Sequence, residues 1–290
     1  MSWRTVVISG RCKLDLKMGY MSVRGEETKK IFLDEIALLL IEDPAVSMTG
    51  CLLEALVEKK VRVIFCGGKR SPFAELVPYC GAHDSSRKIR EQCEWSDPLK
   101  AAVWTEIITE KICNQHRFLS ELGKTREAGL LGEYIEQIEP GDATNREGHA
   151  AKVYFNGLFG MDFTRDADSA TNAALNYGYS IILSAFNREI TCCGYLTQLG
   201  LFHRSVFNHY NLSSDLMEPF RILVDRKVYS GQYTKFTTTE KHDLLNILNG
   251  YVLIDGAKQT VLNAVKIYVY SVFEALRSGN LSLIKFYENL

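Results

Sequence analysis

The stretch Asp97-Pro98-Leu99-Lys100-Ala101-Ala102-Val103-Trp104 marks where the chain changes character. Asp can cap a helix, and Pro at the first helical position is a start signal because its missing N–H costs nothing there. Apolar residues at helical spacing then continue the pattern from Leu99 to Leu122.

Upstream, the first 80 or so residues read as β-rich. Arg4 to Ile8, Cys12 to Lys17 and Tyr20 to Arg24 are short runs with β-branched or alternating apolar positions, punctuated by Gly10 and Gly19. Glu35 to Ile41 and Ala45 to Met48 add strand material. Cys51 to Lys59 carries a short helical stripe, and Val61 to Cys66 an apolar strand. Gly67-Gly68-Lys69-Arg70 lacks the spacing of a phosphate loop and reads as a turn with two solvated charges. Pro72, Pro78, Gly81 and Asp84-Ser85-Ser86 read as a linker.

Downstream the pattern is helix after helix. Asn145 caps a helix to Phe159, Ser169 starts one to about Cys193, and Ser213 or Ser214 caps one carrying Asp215 and Glu218. Thr238-Thr239-Glu240 opens a short helix, and Lys258 to Leu276 reads as a longer one. The expected fold is α+β: a small N-terminal β-domain over 1–80 and a larger all-α domain over 81–290, with no internal repeat.

Composition narrows the function classes. The 290 residues are 46% hydrophobic and 24% charged, as in an ordinary globular protein. A net charge of −1, from 34 basic and 35 acidic residues, argues against a nucleic-acid coat, so any DNA binding must come from local patches. None of the eight cysteines forms a Cys-x-x-Cys pair, and they read as reduced and buried in a cytosolic protein. With no leader-like segment and no run approaching the ~18 apolar residues of a membrane span, a cytoplasmic location is expected.

Three polar islands in the helical half carry the chemistry: Asn145-Arg146-Glu147-Gly148-His149-Ala150-Ala151, His203, and Ser213 to Arg221. Each has an ordinary explanation alone: a helix-start acid at Glu147, a core histidine, and a solvated acidic stripe at Asp215 and Glu218. Gly148, Ala150 and Ala151 would let another segment or a ligand approach Glu147. Asp215 and Glu218, three apart, would share one helix face with Arg221 three further on, and two like charges there repel unless a metal, Arg221 or both supply positive charge nearby. A carboxylate, an imidazole and a second carboxylate pair suit a divalent metal acting on a phosphodiester, Mg²⁺ or Mn²⁺ by the donor set.

These islands, with Trp3-Arg4-Thr5-Val6-Val7, Val63-Ile64-Phe65-Cys66, His83-Asp84-Ser85-Ser86, Tyr154-Phe155-Asn156 and Leu158-Phe159-Gly160, resemble the integrase/endonuclease family of CRISPR adaptation, the first of the CRISPR-associated proteins. The match is nearest its type II branch. The resemblance implies metal ligands at Glu147, His203 and Glu218, with Asp215 as a further catalytic acid one turn before the last ligand. That last ligand is Asp in many branches and Glu here, a longer arm with the same donor. Arg221 falls where a basic residue meets the DNA phosphate, and Arg146 and Arg204 are further candidate DNA contacts. The implied reaction joins the 3′-OH of a captured DNA fragment to a CRISPR repeat by transesterification. The implied partners are double-stranded DNA, a second copy of the chain and a small second CRISPR adaptation protein, with the β-domain in dimer and partner contacts. A structure-specific DNA nuclease and a non-catalytic DNA-end scaffold are the alternatives.

Overall fold

In a computed structural model of the chain, residues 4–68, 72–78 and 82–289 are described. Trp3, Lys69, Arg70, Cys80 and Gly81, all used in the sequence reading, lie outside them. The chain divides into two compact units, Met1–Gly81 and Ala82–Leu290.

The first unit holds strands β1 (Arg4–Ile8), β2 (Lys13–Lys17), β3 (Tyr20–Arg24), β4 (Thr28–Phe32), β5 (Ile36–Ile41) and β6 (Ser47–Met48), helix α1 (Gly50–Glu58), then β7 (Arg62–Cys66) and β8 (Pro72–Leu76). They form two four-stranded sheets, ordered β1-β5-β7-β8 and β4-β3-β2-β6. β5 pairs parallel to both β1 and β7, and all six of its residues are buried, as a continuous apolar run in a parallel sheet should be. Leu14, Met21, Ile36, Leu39, Leu52 and Leu56 meet in one core.

Two of these strands were not expected, and both are edge strands. β4 is Thr-Lys-Lys-Ile-Phe, a mostly exposed, lysine-bearing edge that discourages pairing with other chains. β8 begins at Pro72, read as linker. At a sheet edge the missing proline N–H leaves no ladder bond unmade, so the strand tolerates it.

The second unit is mainly helical: α2 (Ser85–Glu94), α3 (Asp97–Glu121), α4 (Thr125–Glu136), α5 (Arg146–Phe159), α6 (Ala170–Cys192), α7 (Asn211–Leu216), α8 (Arg221–Gly231), α9 (Thr238–Leu245) and, after a hairpin, α10 (Val261–Ser278). β9 (Tyr251–Ile254), β10 (Ala257–Thr260) and β11 (Tyr287–Asn289) add a small antiparallel sheet. The α+β architecture is therefore the one expected, with this sheet as an addition. Lys258 belongs to β10, and α10 begins only after Thr260, whose hydroxyl accepts from Asn263 N–H.

α3 is the spine of this unit. Its buried residues include Val103, Trp104, Ile107, Ile108, Ile112 and Phe118, and α4, α5, α8 and α10 pack against it. Ser96, not Asp97, caps it, accepting from Leu99 N–H at 3.4 Å; Asp97 and Pro98 fill the first turn. Cys66 and Cys193 are buried, whereas Cys51 and Cys93 are exposed, which corrects the expectation that the thiols are buried. No disulfide joins the seven cysteines among the described residues. No described helix is long and apolar enough to cross a membrane.

Candidate active site

Glu147 enters the site from the first turn of α5. Asn145 was expected to cap this helix, but its side chain makes no capping bond and its backbone is left-handed, at φ 52°. Asp142 does the capping instead, accepting from the Arg146 and Glu147 amides at 2.7 and 3.1 Å. Gly148 is small because Asn145 folds over it: a Cβ there would lie 2.9 Å from the Asn145 side-chain amide.

His203 sits in the loop after α6. The loop is tight enough to require glycine at 200, where a Cβ would lie 2.4 Å from the His203 carbonyl and 2.7 Å from Asp215 Oδ2. Asp215, fully buried in α7, collects this loop. Oδ2 accepts from the Leu201 and Phe202 amides at 2.6 and 3.0 Å, and Oδ1 from the His203 amide at 3.1 Å. The same Oδ1 accepts from His203 Nδ1. That bond raises the imidazole pKa against the opposing effect of partial burial. It leaves Nε2 as the nitrogen a ligand can use. Trp104, stacked on Phe202 with 4.5 Å between rings, presents its own ring edge-on to the imidazole.

Asp215 and Glu218 do not share a helix face, contrary to the expectation from their spacing. The helix stops at Leu216, and Glu218-Pro219-Phe220 forms a separate 3-10 turn before α8. Pro219 cannot continue a helical ladder, and its carbonyl is held by Tyr287 Oη at 3.1 Å. Asp215 therefore meets the His203 loop, while Glu218 meets Lys111 of α3 and Arg221 of α8.

There Glu218, 4% exposed, meets two cations. Arg221 Nε donates to Oε1 at 2.9 Å, and Lys111 Nζ lies 2.6 Å from Oε2. Burial pushes this carboxyl up, but Arg221 and Lys111 together outweigh it and hold it below its ordinary value. Lys111 Nζ also pairs with Glu147. Burial alone would discharge the amine; the Glu218 and Glu147 charges prevent that and hold its pKa above the ordinary value.

Glu147, His203, Glu218 and Arg221 line one cavity of about 250 Å³, together with Lys111, Gln115, Arg165, Tyr179 and Asp225. At its back Asp225 accepts from Tyr154 Oη at 3.1 Å and from Tyr179 Oη. Burial pushes the Asp225 carboxyl up to about 6 despite these donors. Gly178 allows α6 and α8 to meet closely enough for this: a Cβ there would lie 2.4 Å from Val224 Cγ1. Arg221 lies over the Tyr179 ring at 4.8 Å.

His203 also lines a wider groove of about 530 Å³, with Lys100 and the largely exposed Arg204, which pairs with Asp97 at 3.1 Å. Arg146 is elsewhere, over the Tyr134 ring at 5.6 Å. Asp215 stands behind His203 and is not part of the cavity wall.

Donor chemistry in the cavity fits a divalent cation. Two carboxylates and an imidazole nitrogen face it, and Glu218 Oε2 is buried with an ion pair but no aligned hydrogen-bond donor. Among the described residues no three His, Cys, Asp or Glu side chains are drawn into a finished metal cage. The Lys111 ammonium stands between the two carboxylates instead.

The family model described as "CRISPR associated protein Cas1" matches residues 6–266. The chain belongs to the Cas1 family. A relative named CRISPR-associated endonuclease Cas1, from Neisseria meningitidis serogroup C, is 33% identical over 296 residues, spanning 100% of this chain and 97% of its own. Another of that name, from Francisella tularensis subsp. novicida, is 25% identical over 90% of this chain and 89% of its own. Among solved structures, a casposase bound to integration product superposes with TM-score 0.77 at 17% identity, covering 96% of this chain and 91% of that one. A Cas1 protein from Thermotoga maritima gives 0.76 at 16%, covering 94% and 97%.

Within this Cas1-family fold, Lys111, Tyr179 and Asp225 are site residues that the sequence reading missed. Lys111 did carry a signal: it is a lysine inside the apolar stripe of α3, between Ile108 and Ile112. Tyr179 and Asp225 carried none, since an aromatic and an acid on amphipathic helices are ordinary.

Proposed function

We propose that this Cas1-family chain is a metal-dependent DNA integrase with endonuclease activity, acting in CRISPR adaptation. It joins the 3′-OH end of a captured DNA fragment to the edge of a CRISPR repeat. The observation that carries this reading is the meeting of Glu147, His203 and Glu218, from three separate segments, on one cavity that also holds Arg221 and Lys111.

Glu147, His203 through Nε2, and Glu218 would hold Mg²⁺ or Mn²⁺, which supplies Lewis-acid polarisation of the scissile phosphate. Asp215 fixes the imidazole by accepting a hydrogen bond from Nδ1–H, so that Nε2 stays a lone-pair donor. Arg221, anchored by Glu218 and the Tyr179 ring, places a permanent charge where phosphate oxygens gather negative charge during attack. Arg204 and Lys100 give the groove beside His203 positive charge to guide the strand.

As the incoming 3′-oxygen bonds to phosphorus, the P–O bond to the repeat strand's 3′-oxygen breaks. The hydroxyl proton ends on the departing oxygen, and the number of phosphodiesters is unchanged. No cofactor energy is therefore required. Two such attacks, at opposite ends of a repeat, need two sites held in one assembly. That supports a homodimer working with a small second adaptation protein, and solved structures of Cas6-RT-Cas1–Cas2 complexes share this fold.

The test is incubation with Mg²⁺ or Mn²⁺, a 3′-OH duplex fragment, a repeat-bearing plasmid and the partner protein. Covalent joining of fragment to repeat is the expected result. Products that are nicked and never joined would replace integrase with a hydrolytic nuclease using the same site.

A further inference from the structure

Glu147 and Glu218 belong to different segments of the chain, and among the described residues the group between them is the Lys111 ammonium. Its side chain is only 9% exposed, on α3, the helix against which α4, α5, α8 and α10 pack. Such a lysine loses its hydration and must be repaid by partners, and here both partners are the carboxylates argued above to hold the metal. With Arg221 on Glu218, the two carboxylates and two cations balance to zero. A divalent ion added to that balance leaves the cavity with two surplus positive charges. A phosphodiester carries one negative charge and gains a second as the new bond forms.

We propose that Lys111 is the resident counter-cation of the site. It holds Glu147 and Glu218 together before loading, competes with the divalent cation for them, and once displaced directs its ammonium at the DNA phosphate. This rests on the metal-dependent reading above and deepens it. Lys111 is thus a positioning residue whose charge sets metal affinity. The ammonium also explains why two acidic groups remain close without repelling each other.

Mn²⁺ binding to the chelator-treated full chain, measured by calorimetry and by electron paramagnetic resonance, tests this. Lys111→Met and Lys111→Gln remove the competitor, so Mn²⁺ should bind at least about tenfold more tightly than to wild type. Lys111→Arg keeps the charge and should bind Mn²⁺ like wild type. The two neutral variants should also melt lower than wild type without metal and gain a larger thermal shift when Mn²⁺ is added. A neutral variant that folds only when Mn²⁺ is present supports the same role. A variant that stays unfolded even with Mn²⁺, or that binds Mn²⁺ no more tightly than wild type, overturns it. If wild type binds Mn²⁺ but the neutral variants do not bind tighter, the role of Lys111 alone fails. If wild type takes up no Mn²⁺, the metal reading fails with it.

Discussion

The imidazole of His203 is held by the carboxylate of Asp215, which is fully buried and also accepts three backbone amides of the same loop. One acid thus fixes both the path of the chain and the ring it carries. Asp215→Asn keeps the volume but puts a donor where acceptors are needed. We expect DNA joining to fall about 10- to 100-fold, as for other groups that orient a metal-binding histidine. Stability should fall by about 1–3 kcal/mol, from amides left unsatisfied. Strand-transfer rates and urea unfolding check both, and an unchanged rate would remove Asp215 from the mechanism.

Asp225 gives a pH dependence with a definite sign. Its carboxylate faces Tyr154 from α5, Tyr179 from α6, Arg221 on its own helix and Lys111 from α3. Burial raises its pKa from 3.8 to about 6. The stability that this shift contributes is fully present below pH 3.8 and is lost as pH rises through about 6. At 1.36 kcal/mol per unit the loss is about 3 kcal/mol. Compared with wild type, Asp225→Asn should therefore gain in relative stability between pH 4 and pH 7. Denaturant unfolding of both proteins across that range measures it, and parallel curves would refute the assignment.

Gly178 and Val224 set the approach of α6 to α8. Gly178→Ala should cost about 1–3 kcal/mol through overpacking and should weaken joining by moving Tyr179 away from Arg221. Val224→Ala in the same chain removes the Cγ1 atom that the new methyl meets, so the double variant should recover part of the loss. Thermal unfolding of the two single variants and the double variant gives the coupling directly.

Arg204 is a different kind of cation from Arg221. Its pair with Asp97 is exposed on both sides, so Arg204→Ala should leave thermal stability unchanged. If Arg204 touches a DNA phosphate, the slope of log affinity against log salt should become shallower by about 1. A binding series between low and moderate salt shows which holds.

Much of the fold was legible because long apolar periods dominate it: the buried run of β5, the stripe of α3 and the start of α6 at Ser169 are local signals. The polar edges were not. β4 and β8 are strands because a neighbouring strand offers a ladder, and neither Thr-Lys-Lys-Ile-Phe nor a leading proline announces that. Glu147, His203 and Glu218 were readable as a set through family resemblance, and their meeting in one cavity is a product of tertiary packing. The helix break at Pro219 shows the limit of spacing: three residues placed Asp215 and Glu218 on one face only while the helix was assumed to continue. Lys111 was hidden by its position among apolar neighbours, where a charge matters most and a periodicity count treats it as an interruption.

The most direct measurement is strand transfer by Glu147→Gln, His203→Ala and Glu218→Gln beside wild type, with Mg²⁺ or Mn²⁺ and with a chelator. Each variant should bind the DNA fragment and stay folded yet lose joining, and wild type should lose it in chelator. Joining at the wild-type rate by any one of the three, or by wild type in chelator, would contradict the assignment of this cavity as the metal-dependent active site.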